Sequence, residues 1–266
     1  MILSAEPEIL SALLAIIGYV LAALSGDTPK RWPAQVLLVS WLVHGFMLIA
    51  GTGVWSPQVQ GVRIGFAPVL SLTVWLVLAL HGIESRFFPF AGVRRALALL
   101  GAAAVTLALV FPGDVPLVAH SELAPLHFAL GLTSYGLFGA AVLHAVLLDT
   151  AERRLRMKAG TSDLAFGMPL LKLERLTFHF VDAGFVVLTL TLLLGLTEPA
   201  FWHWGYKTVL SLLGWATFAG LIIGRRFSGW RGRQATRWLY AGTLLLLLAY
   251  VGSRFVFEVV LQRPVN

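Results

Sequence analysis

The chain alternates between long apolar runs and short polar breaks. Eight runs stand out, at roughly 8–25, 34–50, 66–84, 96–111, 126–150, 178–197, 207–224 and 236–258. Most reach the ~20 residues that an α-helix needs to cross a ~30 Å hydrocarbon core. The second, fourth and seventh are a little short and need snorkelling flanks or slight thinning of the bilayer. Lipid offers backbone groups no hydrogen-bond partner, so each run is expected to be a helix. A closed barrel would need alternating strands of about ten residues, and continuous runs such as AGTLLLLLAYVG do not alternate. The pattern predicts an all-α integral membrane protein, a bundle of about eight transmembrane helices. It shows no internal repeat and no soluble-type segment, so residues 1–266 read as a single polytopic membrane domain. The longest polar break, about 151–176, contains ERRLRMKAGTSDLAFGMPLLKLER and is expected to form short interfacial helices.

Composition agrees: 58% of residues are hydrophobic and only 12% charged, against about 25% charged in a typical soluble domain. The basic residues set an orientation. With the N-terminus outside, the breaks after the first, third, fifth and seventh runs lie inside and hold sixteen of the twenty lysines and arginines. Only Arg63, Lys207, Arg254 and Arg263 lie outside. Cytoplasmic loops carry such an excess, so both termini are expected outside. The net charge of +7 is then a topology signal, with a secondary role at anionic lipid, and it argues against a nucleic-acid partner. The absence of cysteine excludes disulfides, CxxC redox motifs, thiolate metal sites and thiol lipidation. The opening MILSAEPEIL has no basic n-region, so the first run is expected to be a permanent span.

The seven histidines are the candidate chemistry, because ionisable residues inside spans usually face a bundle interior or a cavity. His44 falls near the middle of the second run. His127 opens the fifth at the outer side, and His179 opens the sixth at the inner side. His81 and His144 lie near inner ends, and His120 and His203 lie in outer loops. Such residues suit haem ligation, since iron in a b-type haem takes imidazoles and the macrocycle needs an apolar slot between helices. His127 and His144, in one helix, are ~25 Å apart at 1.5 Å per residue and cannot share an iron. An outer site would draw on His127 with His120 or His203; an inner one on His179 with His44, His81 or His144. The plainer reading makes His81, His120 and His144 interfacial polar groups, and gives His44 an interhelical hydrogen bond. Asp182, three residues after His179, can orient that imidazole from the same helix face, or make a polar contact to a neighbouring helix. Glu84, close to Arg86, reads as half of a solvated pair at the inner edge. Trp202 and Trp204, flanking His203, read either as an interfacial anchor or as the wall of a ligand site.

Five stretches carry a resemblance. LHFALGLTSYGLFGAAVLH, LERLTFHFVDAGFVVLTLTLLLG, WGYKTVLSLLGW, SGWRGRQA and LAYVGSRF, in that order, resemble the cytochrome c assembly superfamily of haem-handling membrane proteins (CcsA, CcmC and HemX among them). The likeness is closest to its YpjD-like branch of short eight-span bacterial proteins, and is clearest from Leu126 to Phe255. It implies residence in the bacterial inner membrane and a haem b cofactor, with His127 as the first outer histidine and His44 and His179 as further histidine positions. It implies a haem-binding or haem-handling protein rather than a catalyst, accessory to cytochrome c biogenesis. Its partners would then be lipid, haem and maturation components or another membrane protein. The departures are specific. The family loop ends Trp-Asp-Pro-Lys-Glu, where this chain has Trp204-Gly205-Tyr206-Lys207-Thr208, and Arg254 lies where a second outer histidine is expected. Two readings compete: a transporter with histidines and Asp182 lining a path, and a membrane scaffold without a cofactor.

Overall fold

The structure, a computed structural model, describes residues 7–25, 31–51, 62–63, 65–85, 93–113, 116–117, 123–156, 164–165, 168–197 and 204–261. Eight helices are long and apolar enough to cross a membrane: α1 Pro7–Leu24, α2 Trp32–Gly51, α3 Phe66–Glu84, α4 Val93–Val110, α5 Ala124–Arg156, α6 Leu170–Thr197, α7 Tyr206–Phe227 and α8 Gly232–Val260. The eight-helix expectation is borne out. The expected interfacial helices are not found among the described residues. Instead α5 runs on to Arg156 and α6 starts at Leu170, because charged residues in good helix-forming sequence continue a helix into water. Two antiparallel two-residue pairs, Val62–Arg63 with Pro116–Leu117 and Leu164–Ala165 with Met168–Pro169, are the β structure among the described residues. The last span is irregular: π-helical turns Leu248–Gly252 and Val256–Val260 flank Ser253–Phe255.

The chain divides into two compact units. The first comprises Met1–Gly82, Ala91–Ala119 and Arg254–Asn266. In α1 small residues face inward (Ala12, Ala15, Ala22 and Ala23) while Leu10, Leu13, Leu14, Ile17 and Leu21 are exposed. Spacings of three and four put each set on one face, apolar residues outward toward lipid and small ones inward where helices approach closely. Tyr19 packs flat against Gly101 of α4, where an added Cβ would stand 2.9 Å from the ring. At one end of this unit Glu258 accepts a hydrogen bond from the Phe66 backbone N–H at 3.4 Å. Its carboxylate thereby serves the first turn of α3, where donors lack helical partners and the dipole favours an anion. Arg254 is buried and lies 3.9 Å from Glu258.

The second unit comprises Ile83–Phe90 and His120–Ser253. Its core is a four-layer stack. Phe138 of α5 and Phe218 of α7 lie parallel with ring centroids 3.9 Å apart. Gly184 of α6 closes one side and Gly242 of α8 the other, with an added Cβ 3.0 Å and 2.9 Å from the respective rings. Two aromatic rings fill the space because two glycines vacate it. The SGWRG turn between α7 and α8 uses Gly229 and Gly232 at φ of 66° and 53°, a conformation that costs other residues strain.

Candidate functional site

In the second unit, α5 and α6 pack along their length. His127 lies in the first turn of α5, its backbone N–H bonded to Leu123 O at 2.9 Å. The imidazole is half-buried and lies over Gly195 of α6, where a Cβ would come 3.3 Å from His127 Cε1. One turn along, Gly131 has, among the described residues, only Thr191 within 4 Å of its missing Cβ, at 3.8 Å. The edge of Phe128 faces the imidazole at 6.2 Å between centroids. The imidazole of α5 thus packs beside a glycine of the facing helix α6. The Thr133-Ser134-Tyr135 stretch follows on the same helix. Thr133 and Ser134 donate back to Ala129 O and Gly131 O. Tyr135 instead reaches across, donating its hydroxyl to the Leu246 carbonyl of α8.

At the other end of α6, His179 and Asp182 are both exposed on one face. A second cluster lies beside them. The Arg225 guanidinium of α7 lies 3.2 Å above the Phe178 ring and 3.7 Å from Glu174. Glu174, Phe178 and Asp182 follow one another at four-residue intervals, so they share a helix stripe.

The first unit treats its histidine differently. His44 is 0% exposed. Its Nδ1 lies 3.1 Å from the Tyr19 hydroxyl of α1, and its Nε2 2.8 Å from Ser71 Oγ of α3. Both ring nitrogens are engaged, as the interhelical hydrogen-bond alternative has it. One turn away, Trp41 and Trp75 stack with centroids 4.6 Å apart and planes 8° apart. Each indole N–H donates to the other's backbone carbonyl, at 3.0 and 2.9 Å. His81 is also buried in this unit, at 8% exposure.

The model of the cytochrome C assembly protein family matches residues 7–261. The chain belongs to the cytochrome c assembly protein family. It is 32% identical over 204 residues to the inner membrane protein YpjD of Escherichia coli K12, covering 72% of this chain and 73% of that one. A 28.8 kDa protein from the nifR3-like 5′ region of Azospirillum brasilense is 30% identical over 232 residues, 83% of this chain and 84% of that one. The cytochrome c biogenesis protein CcsA of Prochlorococcus marinus strain SARG is 21% identical over 224 residues, 70% of each chain. No solved structure matches.

Within this assembly-family chain, the expected surroundings of three residues need correction. His81 and His144, expected as interfacial polar groups, are buried at 8% and 1% exposure. Glu84 is not solvated either. It is buried, and its Oε2 lies 3.0 Å from His144 Nε2. The last residue of α3 is buried rather than in water, which span-end position alone could not convey. A signal was present: a glutamate and a histidine at matching depth in two spans, each costly alone in lipid. Trp204 is 77% exposed. Trp202, His203 and His120 lie outside the described residues. Trp215 lies inward, donating its indole N–H to Thr189 Oγ1 at 2.9 Å and stacking on Phe185. Among the described residues no three His, Cys, Asp or Glu side chains converge as a metal cluster.

Proposed function

We propose that this protein serves cytochrome c biogenesis in the bacterial inner membrane as a haem-holding component, with His127 as the residue that would hold the iron at the outer face. Family membership supports the role in biogenesis, and the inner-membrane location follows from the likeness to YpjD. The observation that carries the haem reading is the half-buried His127 imidazole lying over Gly195 of the facing helix. The residues fit the group in donor type: one imidazole, an adjacent aromatic ring and a glycine on the facing helix, in a chain without cysteine. A b-type haem held there would supply a ligated iron. Gly195 leaves room for the ring that would ligate, and Phe128 stands beside it. Tyr135, tying α5 to α8, fixes the helix that carries the ligand. A second ligand from His120 or His203 belongs to the same proposal. At the inner face His179, with Asp182 one turn on, is the candidate for a separate site. His44 is a weaker candidate, because a ligand role would break one of its two hydrogen bonds. The orientation, with both termini outside, rests on the distribution of lysine and arginine.

Absorption spectra of the detergent-purified protein, oxidised and dithionite-reduced, with pyridine haemochrome quantitation, test this reading. A Soret band with split visible bands on reduction is the expected result. A flat spectrum after expression with added haem overturns it.

A further inference from the structure

Helix α6 has two unlike faces. Val181, Gly184, Leu188 and Gly195 are buried, and from this side Gly184 meets Phe138 and Gly195 meets His127, both of α5. The opposite side carries His179, Asp182, Ala183, Val186, Leu190 and Leu193, all exposed. Steps of three and four residues put these six on one stripe. Lipid suits the apolar members as well as protein does, so they need no partner. His179 and Asp182 differ. At 1.5 Å per residue, Asp182 lies about 6 Å inside the apolar run that opens at Phe178. Ionisable groups within a span almost always face a bundle interior or a cavity and pair there, yet this one faces outward. The cation of its own unit that Asp182 acts on is Arg225 of α7. That guanidinium is already placed over Phe178 at 3.2 Å and beside Glu174 at 3.7 Å. The polar pair therefore sits on the side of α6 that this chain leaves uncovered.

We propose that this stripe docks on the same stripe of a second copy of the chain. The face is self-complementary: it presents one imidazole and one carboxylate, about 4.5 Å apart along the helix axis. Two copies inserted by the same distribution of lysine and arginine share one orientation, so a two-fold axis relating them runs along the membrane normal. Residues then meet near their own depth. In such an isologous contact His179 reaches Asp182 of the partner subunit, and Asp182 reaches the partner's His179. Each imidazole N–H donates to a carboxylate, so the pairing occurs twice per dimer. Ala183 adds little bulk and lets the helices approach closely, while Val186, Leu190 and Leu193 continue the seam toward the outer side. A phospholipid headgroup answers neither need, since it stays at the interface and Asp182 repels an anionic one. A partner helix with a single basic residue would satisfy Asp182 and leave His179 unused, whereas a second copy satisfies both. The inference does not rest on the haem reading. Donating one N–H leaves the other imidazole nitrogen for the inner candidate site.

Because the chain has no cysteine, a single introduced thiol reports on its own position. Full-length Ala183→Cys and Val186→Cys, each co-expressed under two different affinity tags, are oxidised in native membranes by air with copper phenanthroline. The expected product is a disulfide-linked dimer that carries both tags and accounts for most of the protein. Ala216→Cys, a small exposed position on α7, is the control and should stay monomeric. In the Ala183→Cys chain, Asp182→Leu should lower the dimer yield severalfold. Should that variant not accumulate, His179→Leu removes the other half of the same pair. The proposal is overturned by no dimer from either stripe thiol, by an equal yield from Ala216→Cys, by a cross-link to a different protein, or by a yield that the leucine variants leave unchanged. Pyridine haemochrome assay of the same membranes reads the haem content separately, so a failure of the haem reading is told apart from a failure of the dimer.

Discussion

His44 and His127 occupy contrasting regions, one sealed in the first unit and one half-buried in the second. His44 is 0% exposed, with both nitrogens engaged by hydroxyls from two other helices. His127 is half-buried and overlies a glycine. Both histidines fall in apolar sequence, yet their surroundings differ. Partners offset the cost of burying a histidine, and once both its nitrogens are engaged it is a strut. His127 instead lies half-buried beside a glycine of the facing helix.

Substitutions can break this contrast. The largest expected effect is that His127→Ala lowers haem retention by at least about tenfold, since even removing a residue that merely orients a ligand costs that much. Pyridine haemochrome assay per mole of protein measures it. Unchanged haem content in both His127→Ala and His179→Ala would sink the ligand assignment. Next, His44→Ala should leave haem content intact but cost about 3 kcal/mol of stability, because it strands two buried hydroxyls. Thermal unfolding in detergent would show the loss, and haem loss without destabilisation would make His44 a ligand after all. Gly195→Ala should reduce haem retention severalfold with little change in melting, as the new Cβ pushes the imidazole aside. Trp41→Phe removes one of two reciprocal indole bonds and should cost about 1 kcal/mol, read in the same unfolding assay. The smallest effect is expected from Trp202→Ala combined with Trp204→Ala. Haem affinity should barely move, and a large loss would make the aromatic loop part of the working site.

The spans were legible in the sequence because hydrocarbon allows one answer per segment. Residues such as Leu10, Leu13 and Ile17 of α1 fall on the outward face that helical spacing assigns them. Legibility failed at span ends. There the same polar residue can enter water, continue a helix or find a buried partner. Residues 170–176 continued the helix, and Glu84 found His144. The partner lies 60 residues on in the sequence, and no local pattern encodes so distant a pairing. The same limit hid the hydroxyls on either side of His44. His127 could be singled out at its span's edge, but the glycine beside it lies on the following helix.

Glu258 has a consequence for biosynthesis. The first unit takes its segments from Met1–Gly82, Ala91–Ala119 and Arg254–Asn266, and a carboxylate from the last of these serves the opening turn of α3. Chains emerge from the ribosome N-terminus first, and domains generally fold as units. The helices made earliest must therefore wait, with the start of α3 unsatisfied, while the second unit is synthesised in full. The part of the molecule that is translated first is the part that is finished last.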